Sequence, residues 1–108
     1  MEPGRAIHRV ELQYKAITRS TSGEETVAWT TSATVWAEIE PLQGREYYQA
    51  QQIQSEVSTR IKIWFRRGIT PATWRAVYGT KSYEILSVIN PGMRNAELHL
   101  MCKEVVGK

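Results

Sequence analysis

Apolar and polar residues alternate with a period of two along most of this chain, the mark of half-buried strands. Over residues 8–14, Val10, Leu12 and Tyr14 share one face while Arg9, Glu11 and Gln13 take the other. Residues 17–25 are polar and aperiodic, and Gly23 suits a turn, so a loop is predicted there. A short strand over 26–30 holds Val27 and Trp29 in phase. The next strand, 34–40, turns Val35, Ala37 and Ile39 inward and leaves Thr34, Trp36, Glu38 and Glu40 outward. Pro41 and Gly44 interrupt its pairing. The most regular strand is 57–66, with Val57, Thr59, Ile61, Ile63 and Phe65 on one side and Ser58, Arg60, Lys62, Trp64 and Arg66 on the other.

Between those two strands the period changes. Tyr47, Ala50 and Ile53 recur every three residues among Glu, Gln and Arg, which predicts a short helix over 45–55. No good N-cap precedes it. After a loop at 67–71, a strand at 74–78 turns through 79–82 into a strand at 83–90. In that last strand Leu86, Val88 and Ile89 blur the alternation, as burial on both faces or a bulge would produce. Asn90-Pro91-Gly92 is a turn with Gly where positive φ is needed. The final strand, 95–103, points Leu98, Leu100 and Cys102 inward and Glu97, His99 and Met101 outward; residues 104–108 are expected to fray.

Six or seven short strands with one helix imply a mainly all-β fold, a small β-barrel or sandwich that hides its strand edges. At 108 residues the chain fits a single domain, 1–108, with residues 41–56 as an inserted loop or helix. No apolar run reaches the length of a membrane span or a signal-peptide core, so synthesis in the cytoplasm is expected, with no membrane partner.

Little in the composition supports catalysis. All eleven acidic residues are Glu, which removes Asp-based calcium loops and triads. The single cysteine, Cys102, excludes an internal disulfide, and its inward position marks a buried small hydrophobe rather than a nucleophile. His8 and His99 would approach only if the first and last strands paired, and no carboxylate stands at useful spacing, so no metal site is expected. The glycines sit singly in turns and make no phosphate cradle. No catalytic residue and no cofactor is expected.

What remains is a surface. A net charge of +3 is too small for a dedicated nucleic-acid arm, yet Arg60, Lys62 and Arg66 share the outward side of one strand with Trp64, and Arg67 follows. Such a basic strand with an interleaved aromatic fits an OB-like single-strand binder. It also fits a plain solvated face, or a face that docks on acidic residues of a neighbouring copy, with Glu38 and Glu40 as candidates. Trp36 and Trp64 both fall on polar sides of regular strands. Either a segment of the same chain covers them, or they form a subunit interface, where Trp and Arg concentrate. The insert offers Arg45, Gln49, Gln51, Gln52 and Gln54. Weakly binding polar groups of this kind suit the lining of a channel through which DNA must slide, or an ordinary solvated helix over one barrel end.

In order and spacing, several segments together resemble one family. They are His8-Arg9-Val10-Glu11-Leu12-Gln13, Trp29, Thr34-Val35-Trp36-Ala37-Glu38-Ile39-Glu40-Pro41-Leu42, Gly44-Arg45-Glu46, Arg60-Ile61, Gly68-Ile69-Thr70-Pro71, Tyr83-Glu84-Ile85-Leu86-Ser87-Val88, Arg94 and Glu97-Leu98. The chain resembles the head-tail joining proteins of tailed bacteriophages, the head closure or stopper proteins. Trp74 departs from the pattern, where a smaller apolar residue is expected. The resemblance implies a small β-barrel with an inserted helix or loop. It further implies a homo-oligomeric ring at the head-tail connector, between a portal or adaptor protein above and a tail protein below, closing the DNA channel after packaging. A tail-completion protein one layer away is the alternative within the same assembly. The implied location is the host bacterial cytoplasm during assembly and then the virion, with only transient, non-specific contact with packaged DNA.

Overall fold

Six alternating strands wrap into a closed antiparallel barrel, so that one residue in two meets a common interior. The computed structural model describes residue 4 and residues 6–53 and 56–105. Among these, the strands are β1 (His8–Arg19), β2 (Glu25–Pro41), β3 (Thr59–Trp64), β4 (Trp74–Tyr78), β5 (Lys81–Ile89) and β6 (Glu97–Val105). A helix α1 (Gly44–Ile53) is inserted between β2 and β3, and a 3-10 turn (Pro91–Met93) precedes β6. The order around the barrel is β1-β2-β3-β6-β5-β4, and β4 closes it by pairing back onto β1 from Glu11↔Val77 to Tyr14↔Trp74.

The alternation read from the sequence sets the core. Val10, Leu12, Ala37, Ile61, Ile63, Ala76, Ile85, Leu100 and Cys102 are fully inaccessible, and Tyr83 and Leu98 nearly so. Ile69 plugs the barrel from the 67–71 loop. Leu42 and Val57, on either side of the insert, are also buried. Cys102 lies inside as expected, its Sγ 3.3 Å from the Leu100 carbonyl oxygen, and burial pushes its thiol pKa far up.

The largest correction concerns residues 17–25. The loop is shorter than expected, although Gly23 takes the positive φ of a turn. β1 runs on to Arg19 and β2 starts at Glu25, leaving only a short turn at 20–24. The two strands expected at 26–30 and 34–40 are one seventeen-residue strand. Beyond Tyr14, β1 has no β4 partner, and β2 pairs with β3 only from Ala37 onward. The hairpin therefore leaves the barrel as a two-stranded arm, in a molecule 49 × 28 × 28 Å. Near its tip the arm has solvent on both faces and no buried side to impose an alternating pattern, which is why residues 17–19 and 25 read as loop, whereas 26–30 was legible as strand.

A bulge links arm to barrel. Leu12 pairs with Ala33 but Gln13 pairs with Thr31, so Ser32 is the extra residue. This insertion switches the faces of β2: Val35, Ala37 and Ile39 look inward, whereas Val27 and Trp29, two odd-numbered residues further back, lie on the outer side opposite Ile17 and Lys15. A second bulge sits at Leu86, between the pairs Ile85↔Cys102 and Ser87↔Met101, and accounts for the blurred period of β5. Gly92 takes the expected positive φ of 64°.

Other boundaries move by a few residues. β3 stops at Trp64, so Arg66 lies beyond the strand, and β6 continues to Val105, which orders the first two residues of the expected frayed tail. The first and last strands are not neighbours, because β1 closes on β4 and β6 lies between β3 and β5. His8 instead packs edge-on against Tyr78 at 4.8 Å, and His99 Nε2 sits 2.9 Å from Glu97 Oε1. Trp74 keeps its large ring half-buried against the core and Tyr14, centroids 5.5 Å apart.

Ile61 sits at the centre of this interior. Ile61→Ala is expected to lower the unfolding free energy by about 2–5 kcal/mol in urea titration, with an unchanged denaturant slope. A loss below about 1 kcal/mol would mean that the barrel interior is not the stabilising core. Cys102 should resist thiol reagents in the native protein and react fully once unfolded. Because folding raises this thiol's pKa, the unfolded chain releases the proton first, and stability should decline as pH climbs past about 8.5.

Candidate functional site

Pairing of β2 with β3 runs Ala37↔Ile63, Glu38↔Lys62, Ile39↔Ile61, Glu40↔Arg60. One step beyond Ala37↔Ile63 the same register sets Trp36 beside Trp64, both pointing away from the barrel. No segment among the described residues covers them: Trp36 is 49% and Trp64 43% exposed. With Ala6 and Ile7 they line a shallow depression of about 560 Å³. Ile7 itself is 65% exposed. Arg9, opposite Trp36 on β1, places its guanidinium 4.9 Å from that ring's centroid. Beyond Trp64, Arg67 stands 5.8 Å over the Phe65 ring, and both Arg66 and Arg67 are exposed. The result is an apolar floor of two indoles and an isoleucine, with Arg9 over one of the indoles.

The rest of the cationic strand face is already occupied. Arg60 Nε donates to Glu40 Oε1 at 3.1 Å and its Nη2 reaches Glu46 Oε1 at 2.7 Å. Lys62 Nζ lies 3.4 Å from the same Glu40 oxygen. Partial burial raises the Glu40 pKa, but Lys62, a side-chain hydrogen bond with Glu38, and Arg60 outweigh it and hold the carboxyl below its ordinary value. Glu40, expected to meet a neighbouring copy, thus neutralises Arg60 and Lys62 of its own chain, and Glu38 faces Lys62 across the ladder. The cross-strand register dictates this, since both acidic positions sit directly opposite both basic ones. An OB-like nucleic-acid platform loses two of its four cations by the same pairing.

The insert adopts the expected helix, one residue earlier than expected, as Gly44–Ile53. Glu46 ties its first turn to Arg60, and Gln51 Nε2 donates to the Val57 carbonyl oxygen at 2.5 Å. Gln51 is therefore a brace for the chain's return to β3 and is not presented outward. Arg45, Gln49 and Gln52 are exposed; Gln54 lies outside the described residues. Tyr48 is 69% exposed and packs edge-on against Tyr47 at 5.7 Å.

Sequence reasoning singled out Trp36 and Trp64 but missed Ile7 and Arg9, which flank Trp36 from the start of β1. Strand pairing alone brings them there. It also missed the arm, where Ile17 is 60% and Val27 53% exposed on one face. On the same outer side, Trp29 lies beneath Lys15 and Arg75, at 5.6 and 4.5 Å from its centroid. Arg75 is further fixed by Gln13 at 2.7 Å.

Residues 1–105 match the family model described as phage head completion protein. The head completion protein gp7 of Enterobacteria phage HK97 is 29% identical over 107 residues, spanning 95% of this chain and 96% of that protein. The solution structure of protein SF1141 from Shigella flexneri 2a superposes with a TM-score of 0.77 at 26% identity, each chain covered fully. A chain from the virion of a native gene transfer agent particle shares the fold, with a TM-score of 0.59 at 18% identity over 92% of this chain and 94% of that one. A match to the family model over residues 1–105, carried by a closed β-barrel with one inserted helix, places this chain in the phage head completion protein family.

Proposed function

We propose that this protein forms a ring of identical copies at the head-tail connector of a tailed phage or prophage, closes the DNA channel after packaging, and presents the surface on which the tail docks. The observation that carries this reading is the uncovered Trp36–Trp64 depression. The barrel core is complete without it, and leaving two indoles and an isoleucine in water forgoes burial at about 25 cal/mol per Å². Trp and Arg together are what interface centres use. A cyclic assembly needs two different surfaces on each protomer, and the indole face supplies one of them. A portal or adaptor protein on one side and a tail protein on the other are the partners this position requires. Assembly takes place in the host bacterial cytoplasm, and the mature location is the virion. The role is structural rather than enzymatic.

The insert 41–56 is the channel-facing element in this reading. Arg45, Gln49 and Gln52 are polar and exposed, so they meet DNA without the dense cationic contacts that would retain it. The anchor points Glu46 and Gln51 hold the helix at both ends while leaving its outer side in solvent.

Two outcomes check the proposal. Trp36→Ala and Trp64→Ala should each reduce incorporation into particles strongly while shifting the melting temperature of the free protein by no more than a few degrees. Normal incorporation combined with a large drop in melting temperature would make the tryptophans core residues and remove the interface. Replacing 45–53 by a short Gly-Ser linker should give heads that package DNA and then lose it, measured as DNase-sensitive genome. Full retention would end the gating role.

A further inference from the structure

The β1–β2 arm is built like something meant to be held. A two-stranded hairpin is marginal alone in water, and this one carries exposed β-branched residues, Ile17 and Val27, directly opposite each other on its outer side. Its turn end is acidic: Glu24 and Glu25 stand against one cation, Arg19, which pairs with Glu25 at 2.8 Å. The depression on the barrel has the complementary character: an apolar floor of Ile7, Trp36 and Trp64, Arg9 over the Trp36 ring, and the exposed Arg66 and Arg67 following Trp64 in the chain. We infer that the arm of one copy docks its Ile17–Val27 face into the Trp36–Trp64 depression of the next copy. The contact presupposes the homo-oligomeric ring proposed above and supplies its second surface.

Length and charge both favour a second copy as the occupant. Arg9, beside Trp36, and Ile17 are eight residues apart on one strand, about 26 Å at roughly 3.3 Å per residue. The arm thus carries its apolar face far from the depression of its own chain, which leaves both available as the two different surfaces of a head-to-tail contact between copies. They do not lie on one flat ribbon, because two-stranded ribbons twist more than wide sheets and the Ser32 bulge between the patches adds to that twist. The neighbour's Glu24 and Glu25 meet Arg9, Arg66 and Arg67, the role that Glu38 and Glu40 cannot play while facing Lys62 and Arg60 of their own chain.

The test uses assembled particles. Ile7→Cys and Ile17→Cys alter exposed side chains, and the native Cys102 is buried, so thiol cross-linking reads only the new positions. A short bis-maleimide should convert the Ile7→Cys/Ile17→Cys double variant into a ladder of multimers on denaturing gels. Neither single variant should form one. Wild-type particles treated in parallel with a lysine cross-linker report whether copies are adjacent at all. Multimers from lysines with none from the cysteine pair would overturn the arm contact and leave the ring standing. No multimers from either would remove the ring as well. Dimers from Ile17→Cys alone would show a two-fold tip-to-tip contact, and attachment of that variant to a different virion protein would assign the arm to another layer; either result overturns the inference. Ile17→Glu/Val27→Glu gives an independent reading: it should melt like wild type yet enter particles at least about tenfold less, and unchanged entry contradicts the contact.

Discussion

Burial of alternate residues around a closed sheet is the interaction on which the rest of the structure depends. Closure needs a strand that can pair on both sides, and β1 does so only over Glu11–Tyr14, with β2 on one edge and β4 on the other. Within that short span Leu12 sits between Ala33 and Ala76, two small neighbours that let the sheet curve tightly around a filled interior. Once β1 is locked, every inward position of β3 and β6 follows from register, and the outward positions are free to carry function. The same closure leaves the surplus length of β1 and β2 with nothing to pair against, and the arm is the result.

How much of this was legible depended on whether a residue had a buried face. β3 and β6 were readable because each alternates between core and outer side, and Ile61, Leu98 and Leu100 land where the period puts them. The bulge in β5 was visible as a fault in that period. The length of the arm was not: 26–30 read as a strand, but residues exposed on both faces obey no two-residue rule, so its continuity with 34–40 and the β1 extension to Arg19 went unread. The outward placement of Trp36 and Trp64 was likewise readable from phase, but their neighbours Ile7 and Arg9 come from a strand thirty residues away and are joined only by pairing.

The charged residues show the limit of reading one strand at a time. Arg60 and Lys62 form a cationic ridge when β3 is considered alone. Placed beside β2, the ridge meets Glu40 and Glu38, and α1 adds Glu46 to Arg60. What stays unneutralised by these pairs is Arg66 and Arg67, past the strand end, and Arg9, whose guanidinium lies over the Trp36 ring.

The bulge at Ser32 has a bearing on the life of the protein before it reaches a particle. From Glu25 to Trp36 the far edge of β2 has no strand partner among the described residues, a run rich in Thr, Val and Ala of the kind that invites edge-to-edge stacking. A two-for-one misfit in the middle of that run breaks the regular repeat that indefinite stacking requires. The extra serine at Ser32 is thus the kind of irregularity by which edge strands limit unbounded growth, in a hairpin otherwise regular along its length.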